Sequence, residues 1–335
     1  MNALGTLFRV ALFGESHGPR VGVVVDGCPA GIPLDAADLL PDLARRRAGA
    51  IGTTARAEPD LPEISSGVFR GRTTGAPILI AFENRDARPA DYGAIARIPR
   101  PGHADWAARV RHRGFNDPRG GGHFSGRLTI GLVAAGVVAK KLLAPAEVRA
   151  RLLEAGGSGD TEGAAAAAAA ARDSIGGIVE CRAVGIVPGL GEPFFDGVEA
   201  RVAHVLFSIP GVKGVEFGAG FACARLRGSE HNDAILDAAG RTATNRAGGL
   251  NGGLTNGNEV VVRLAVRPAA SVGAPQRSVD LGTGAPADSI TAGRHDACIA
   301  LRVPVIAEAA VAVALADFAL MAGASARAMG EDGGG

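Results

Sequence analysis

Apolar and polar positions sort this chain into short elements from its first residues onward. Residues 6–14, TLFRVALFG, and 21–27, VGVVVDG, are β-branched and apolar runs separated by a glycine-bearing turn, a strand–turn–strand pattern closed by the turn CPAGIP at 28–33. Residues 35–47 then change to helical spacing. Asp35 is placed to cap the first N–H groups, and Arg45, Arg46 and Arg47 fall in the last turn, where cations complement the helix dipole. Pro41 inside that stretch predicts either a kink or a later start. Strand patterns recur at 62–71, 76–84, 174–189 and 259–268; residues 125–143 read as an apolar helix stopped by Pro145, and 198–208 as another. Strands and helices do not alternate regularly, which predicts an α+β layered fold rather than a doubly wound parallel sheet. Residues 1–329 read as a single domain and 330–335 as a disordered tail.

Two stretches qualify this pattern. Residues 303–323, VPVIAEAAVAVALADFALMAG, are long enough to cross a bilayer, but Glu308 and Asp317 interrupt them at a cost in hydrocarbon. A helix buried between layers is the better expectation. Residues 145–172 carry EAGGSGDTEG followed by eight alanines, Ala164 to Ala171, and read as a surface connection leading into a short helix.

Composition narrows the function classes. Of 335 residues, 47% are hydrophobic, enough for a sizeable core, and 35 basic residues almost cancel 34 acidic ones, which gives no case for nucleic acid or an anionic membrane as partner. Lysine occurs only at 140, 141 and 213, so nearly every base is an arginine, the residue suited to bidentate grip on phosphate and carboxylate. GC-rich codon usage would produce the same skew. The cysteines at 28, 181, 223 and 298 form no C-x-x-C pair and read as reduced thiols in a cytoplasmic protein. His17, His103, His123 and His295 lack the spacing of a zinc site, so no metal is expected.

Five loops could carry chemistry. Gly14-Glu15-Ser16-His17-Gly18 fits the G-x-S-x-G pattern of a hydrolase nucleophile, but too little chain precedes it to build that fold's strands and oxyanion loop. RIPRPGHADW at 97–106 sets His103 after a glycine in a proline-stiffened loop. RGGGHFSGR at 119–127 brings three glycines, a serine and flanking arginines to the start of an apolar helix, a way of presenting N–H groups and positive charge to a phosphate. NRAGGLNGGLTNGNE at 245–259 could let backbone approach a flat ligand, or be an ordinary glycine-rich loop. GRHDAC at 293–298 packs Arg294, His295 and Asp296 together, where a simple salt bridge is the plainer reading.

In order, FGESHG (13–18), DLARRRAG (42–49), SGVFRGRTTGAPI (66–78), RPGHAD (100–105), RGGGHFSGRLT (119–129), VKGVEFGAGF (212–221), GSEHND (228–233), GGLNGGLTNG (248–257) and GRHDAC (293–298) closely resemble the chorismate synthase family over essentially the whole chain. The resemblance implies helices sandwiched between antiparallel sheets, a homotetramer, and a trans-1,4 elimination of phosphate from 5-enolpyruvylshikimate 3-phosphate that needs reduced FMN without net redox. NADPH is a candidate reductant for that flavin, although no separate dinucleotide fingerprint is visible. A non-catalytic flavin- or phosphate-binding relative is the alternative.

By the same resemblance, His17 protonates the departing phosphate, His103 lies at the N1/O2 edge of the flavin, and Asp296 acts with the flavin in taking the C6 proton. Ser16, Arg46, Arg47 and Arg127 are implied for substrate. His123, Phe124, Ser125, Gly252, Arg267, Pro268, Ala269, Ala270, Ser271 and Arg294 are implied for the cofactor. The match is imperfect in places. His123-Phe124-Ser125 stands where the family often has Arg-Ser-Ser, Arg267-Pro268-Ala269 where it has Lys-Pro-Thr, and Ala297 where it has proline; the AIGTT after the triple arginine lacks one arginine of the family pattern. A strand expected after the long helix is, on this reading, shortened or replaced by alanines within 145–172.

Overall fold

The computed structural model describes residues 2–47, 49, 53, 58–85, 97–290 and 296–328, with side chains of the last helix described to residue 323. One antiparallel sheet contains β1 (Ala3–Leu4), β2 (Arg9–Gly14), β3 (Arg20–Asp26), β4 (Glu63–Ile64) and β5 (Ile78–Glu83), in spatial order β1-β2-β3-β5-β4. Its register explains its buried face: Val21, Val23 and Val25 stand opposite Phe82, Ile80 and Ile78, and all six are buried. Period-2 alternation puts such pairs on one side of the sheet, where they stabilise by burial and by cross-strand contact.

A second antiparallel sheet contains β6 (Glu147–Ala155), β7 (Gly177–Val184), β8 (Val212–Phe217) and β9 (Val260–Val266), in order β8-β9-β7-β6. Val260, Val262, Leu264 and Val266 form the buried row of β9 and pair with Ala183, Cys181, Val179 and Gly177 of β7. A two-stranded ribbon, β10 (Gln276–Val279) and β11 (Pro286–Ser289), lies outside both sheets.

The longer helices are α1 (Ala36–Arg46), α2 (Asp105–Arg111), α3 (Thr129–Leu143), α4 (Thr161–Ala170), α5 (Val198–Phe207) and α6 (Val303–Ala328). α3 packs on the first sheet, α6 and α5 on the second, and α3 and α6 pack on each other, giving a sheet–helix–helix–sheet sandwich. Two glycines make the approaches possible. A Cβ on Gly131 would lie 2.8 Å from the carbonyl oxygen of Gly22, and one on Gly136 would lie 2.3 Å from the Cβ of Ala309. Most of α6 is buried, as expected of a core helix, although it is long and apolar enough to span a membrane.

The two acids of α6 are anchors. Glu308 accepts from Arg45 at 2.6 and 2.7 Å, from Lys140 at 2.8 Å and from the backbone N–H of Ala150 at 2.8 Å. Burial alone would raise its pKa; the hydrogen bonds and charges of Arg45 and Lys140 overcome that and hold it below the usual carboxylate range. Asp317 accepts from the N–H groups of Thr6, Leu7 and Phe8 at 2.7–2.8 Å.

The structure refines several expectations. The helix with Pro41 starts at Ala36 under a capping box between Asp35 and Asp38, with no delay, and Pro41 sits on its exposed side. The apolar stretch 125–143 begins as a 3₁₀ turn, Gly126–Leu128, before α3. The segment 62–71 is not one strand but β4 followed by a small hairpin, Val68–Phe69 with Arg72–Thr73.

The expectation for 145–172 was wrong in one respect. A nine-residue strand, β6, is present and paired along its length with β7, with one bulge between Leu152 and Glu154. The alanine run forms most of α4, capped by Asp160, and packs against β6 through Ala165 and Ala168. Small side chains let the helix lie close, which is why the run looked uninformative. The tail at 330–335 lies outside the described residues.

Candidate active site

A cavity of about 300 Å³ opens between the β2–β3 turn, the end of α1, the loops at 97–104, 119–127 and 267–271, and the start of α6. Among the described residues, six arginines (Arg46, Arg47, Arg100, Arg127, Arg267 and Arg302) and three carboxylates (Glu58, Asp60 and Asp296) line it. That excess of fixed cations suits a ligand with several anionic groups.

One wall is wired by charge. Arg46, brought in by the last turn of α1, is 2% exposed and donates from Nη2 to Asp60 Oδ2 at 2.9 Å. Arg127, at the entry to α3, donates to the other oxygen of Asp60, to Asn84 Oδ1 at 2.9 Å and to the carbonyl of Glu83 at 3.3 Å. Asn84 in turn donates to the carbonyls of Glu15 and Gly18, so it ties the turn bearing Ser16 and His17 to the arginines. Burial, with Arg302 and Arg127 adding repulsion against the attraction of Asp60, brings Arg46 down to about 9, still charged at neutral pH. Arg302 donates to the carbonyl of Arg46 at 2.8 Å and to Asp296 Oδ2 at 3.2 Å, linking α1 to Asp296. Arg47 is exposed and donates to the carbonyl of Pro59.

The other wall is shaped by missing side chains. Gly120, Gly121 and Gly122 all have positive φ, and the first two meet the two histidines. A Cβ on Gly120 would lie 2.6 Å from Cδ2 and 2.7 Å from Nε2 of His17; one on Gly121 would lie 3.1 Å from Cε1 and 3.3 Å from Nε2 of His103. His17 is buried directly behind Ser16 and Gly120, which face the cavity, whereas His103 and Asp296 line it themselves. His103 Nδ1 lies 2.6 Å from Asp105 Oδ1 and 3.0 Å from Arg100 Nη2; an ionised carboxylate can only accept, so the shorter contact assigns the proton to Nδ1, and Nε2 is turned toward Gly121. Arg100 grips the same carboxylate from Nε and Nη2, both at 2.8 Å, and reaches Ser271 Oγ at 2.9 Å. Burial would raise Asp105, but the hydrogen bonds from Arg100 and His103 hold it well below the usual carboxylate range.

Ser16 is 1% exposed, and the chain turns there from β2 straight back into the antiparallel β3. A nucleophile elbow needs a strand-to-helix turn, so the hydrolase reading fails on geometry. Phe124, Ser125, Arg267, Ala269, Ala270 and Ser271 line the cavity, with Pro268 between two of them. Ser125 caps the turn before α3 by accepting from the N–H of Arg127. His123 points elsewhere: its Nδ1 lies 2.8 Å from the carbonyl of Gly14. Gly252 is not brought to the cavity in this chain; it forms the tip of the hairpin Leu250–Asn251 with Leu254–Thr255. Arg294 lies outside the described residues. The sequence reading missed Asp60, Asn84, Asp105 and Arg302, four side chains that act on other side chains; only Asp105 stood in a quoted motif, RPGHAD.

A family model for chorismate synthase matches residues 8–320. The chain belongs to the chorismate synthase family. The chorismate synthase of Chitinophaga pinensis is 60% identical over 96% of this chain and 97% of its own length, and that of Korarchaeum cryptofilum is 45% identical over 93% and 96%. A crystal structure of chorismate synthase superposes with a TM-score of 0.74 at 25% identity, covering 95% of this chain and 93% of the other. The layered α+β sandwich is therefore the chorismate synthase fold, and the charged cavity is where its chemistry must be sought.

Proposed function

We propose that this protein is a chorismate synthase in activity, a carbon–oxygen lyase in aromatic amino acid biosynthesis that eliminates phosphate from 5-enolpyruvylshikimate 3-phosphate. The observation that carries the reading is the convergence of six arginines with His103 and Asp296 on one cavity, with His17 directly behind its wall. The substrate bears a phosphate and two carboxylates, and Arg46, Arg47 and Arg127 are the groups to bind and orient them. Ser16, beside them, orients the substrate or His17.

In the elimination the C6–H pair becomes a new ring double bond, the ring double bond already present shifts to C3, and the C3–O pair leaves with the phosphate. His17 supplies a proton to the departing phosphate, and Asp296 takes the proton from C6. Arg302 holds Asp296 through its Oδ2, which fixes the direction from which the base acts. Bound in this cavity, the family's flavin, which we take to be reduced FMN, would supply electron density with no net redox change. The residues present suit such a ligand. Ile209, Pro210, Ile299, Val303 and Ile306 give the cavity an apolar face, while Ser125, Arg267, Ala269, Ala270 and Ser271 offer polar side chains and backbone at its edge. His103 would hold the ring edge, fixed in one tautomer by Asp105. We further place the enzyme in the cytoplasm as a homotetramer, its flavin reduced either by NADPH on the enzyme or by an outside source.

The alternative of a non-catalytic relative drew its motive from a damaged strand in 145–172, and β6 removes that motive. The deciding experiment mixes protein, 5-enolpyruvylshikimate 3-phosphate and dithionite-reduced FMN without oxygen. Chorismate and phosphate should appear one for one. The variant His17→Ala should lose turnover far more than flavin affinity; flavin binding with no product from the wild type would return the binding-only reading.

A further inference from the structure

Asp60 has three properties that do not belong together in an ordinary loop residue. Its side chain is 1% exposed, its φ is +51°, and its two carboxylate oxygens are shared between two arginines from separate elements. A non-glycine residue in the left-handed region is strained, and a buried carboxylate is costlier still unless it is paired. Here both costs are met at the point where α1 and the entry to α3 face the cavity.

The consequences for the two arginines differ. Arg127 has each of its three nitrogens engaged, by Asp60, Asn84 and the carbonyl of Glu83. Arg46 gives Nη2 to Asp60, while its buried Nε has no hydrogen-bond partner among the described residues. A buried guanidinium nitrogen without an acceptor is costly, so Arg46 is tied less completely than Arg127. Arg46 is thus held with donors to spare, and Arg127 is what holds the holder.

We propose that Asp60 is a positioning residue for substrate binding. It clasps Arg46 and Arg127 at a fixed separation, and through Arg127 and Asn84 it sets that pair against the turn carrying Ser16 and His17. The clasp pre-orders the arginines, so the anionic groups of the substrate bind without first having to draw two mutually repelling cations together. The inference rests on the substrate proposed above, and it makes Asp60 a determinant of affinity rather than a participant in bond breaking.

The test is titration calorimetry of 5-enolpyruvylshikimate 3-phosphate into flavin-free protein, followed by steady-state kinetics with reduced FMN. If the wild type does not bind this compound, the substrate assignment fails. If it does, Asp60→Asn should raise Kd and KM about tenfold or more, the scale of a lost hydrogen bond to a charged group, while kcat changes by less than about threefold. Asn84→Ala, which leaves both arginines and Asp60 in place, should raise Kd by about threefold and covers the case in which the first variant does not fold. An unchanged Kd in either folded variant overturns the proposal. So does tighter binding in Asp60→Asn, because Asp60 would then be only a counter-charge that weakens the site.

Discussion

The two walls of the cavity are held in place by opposite means. The arginine wall is fixed by what is present: Asp60, Asn84 and Arg302 join Arg46, Arg127 and Asp296 into one hydrogen-bonded chain. The histidine wall is fixed by what is absent, since Gly120 leaves room for the ring of His17 at a distance no side chain would allow, and Gly121 for that of His103 at one that would be tight. A wired wall tolerates the loss of one strand of wiring at a graded cost. A wall made of space has no such reserve, because a single methyl group moves the ring it touches.

The sharpest way to break this contrast is Gly120→Ala. The added Cβ would sit 2.6 Å from the His17 ring on a backbone with φ of +58°, so the ring must move. Turnover should fall about a hundredfold, as expected when a reacting group shifts by about 1 Å, with a loss of only a few degrees in Tm. Near-wild-type turnover would show that space does not position this histidine. Asp105→Asn probes the carboxylate that, with Arg100, supports His103 in the histidine wall. With the anion gone, His103 loses its fixed tautomer, and turnover should drop about tenfold while the substrate Kd stays unchanged.

The mildest probe is acid. Asp60, Asp105 and Glu308 are all held below the ordinary carboxylate value by their arginine, lysine and histidine partners, against the opposing effect of burial. A depressed folded-state pKa contributes stability that is complete above the unfolded value, about 4, and is lost as pH falls through that value toward the folded one. Tm should therefore stay level from pH 7 to about 5 and decline below about 4, with Asp60→Asn declining less steeply. Equal acid slopes for the two proteins would show that Asp60 is not a linked group.

Much of the scaffold was legible because it follows local rules. Alternation disclosed β2, β3, β5, β7 and β9, and the Asp35 cap disclosed the start of α1. Residues 6–8 carried the same apolar signal as the strand beside them, yet their N–H groups go to Asp317, more than three hundred positions away. No window of sequence contains that partner. β6 was obscured for a different reason: glycines and alanines after it mask a strand whose partner, β7, lies beyond them.

The site divided along the same line. His17, His103, Arg46 and Arg127 stood in motifs that match a family, but the side chains that aim them did not announce themselves. Asp60 becomes notable only when two arginines, separated from it by 14 and 67 positions, arrive on its two oxygens. Arg302 looks like any helix-start arginine until the carbonyl of Arg46 is seen beside it.

The grip of Asp317 on residues 6–8 also sets an order in time. Chains emerge from the ribosome beginning with the N-terminus, and the first sheet can begin to assemble long before α6 exists. The N–H groups of Thr6, Leu7 and Phe8 must wait, solvated by water, until nearly the whole chain has been made and Asp317 arrives. Glu308, seated on the same helix, then fastens α1 beside Arg46 in the same docking event. The arginine wall is consequently completed last, and a growing chain that still lacks its final helix has no finished anion site to offer.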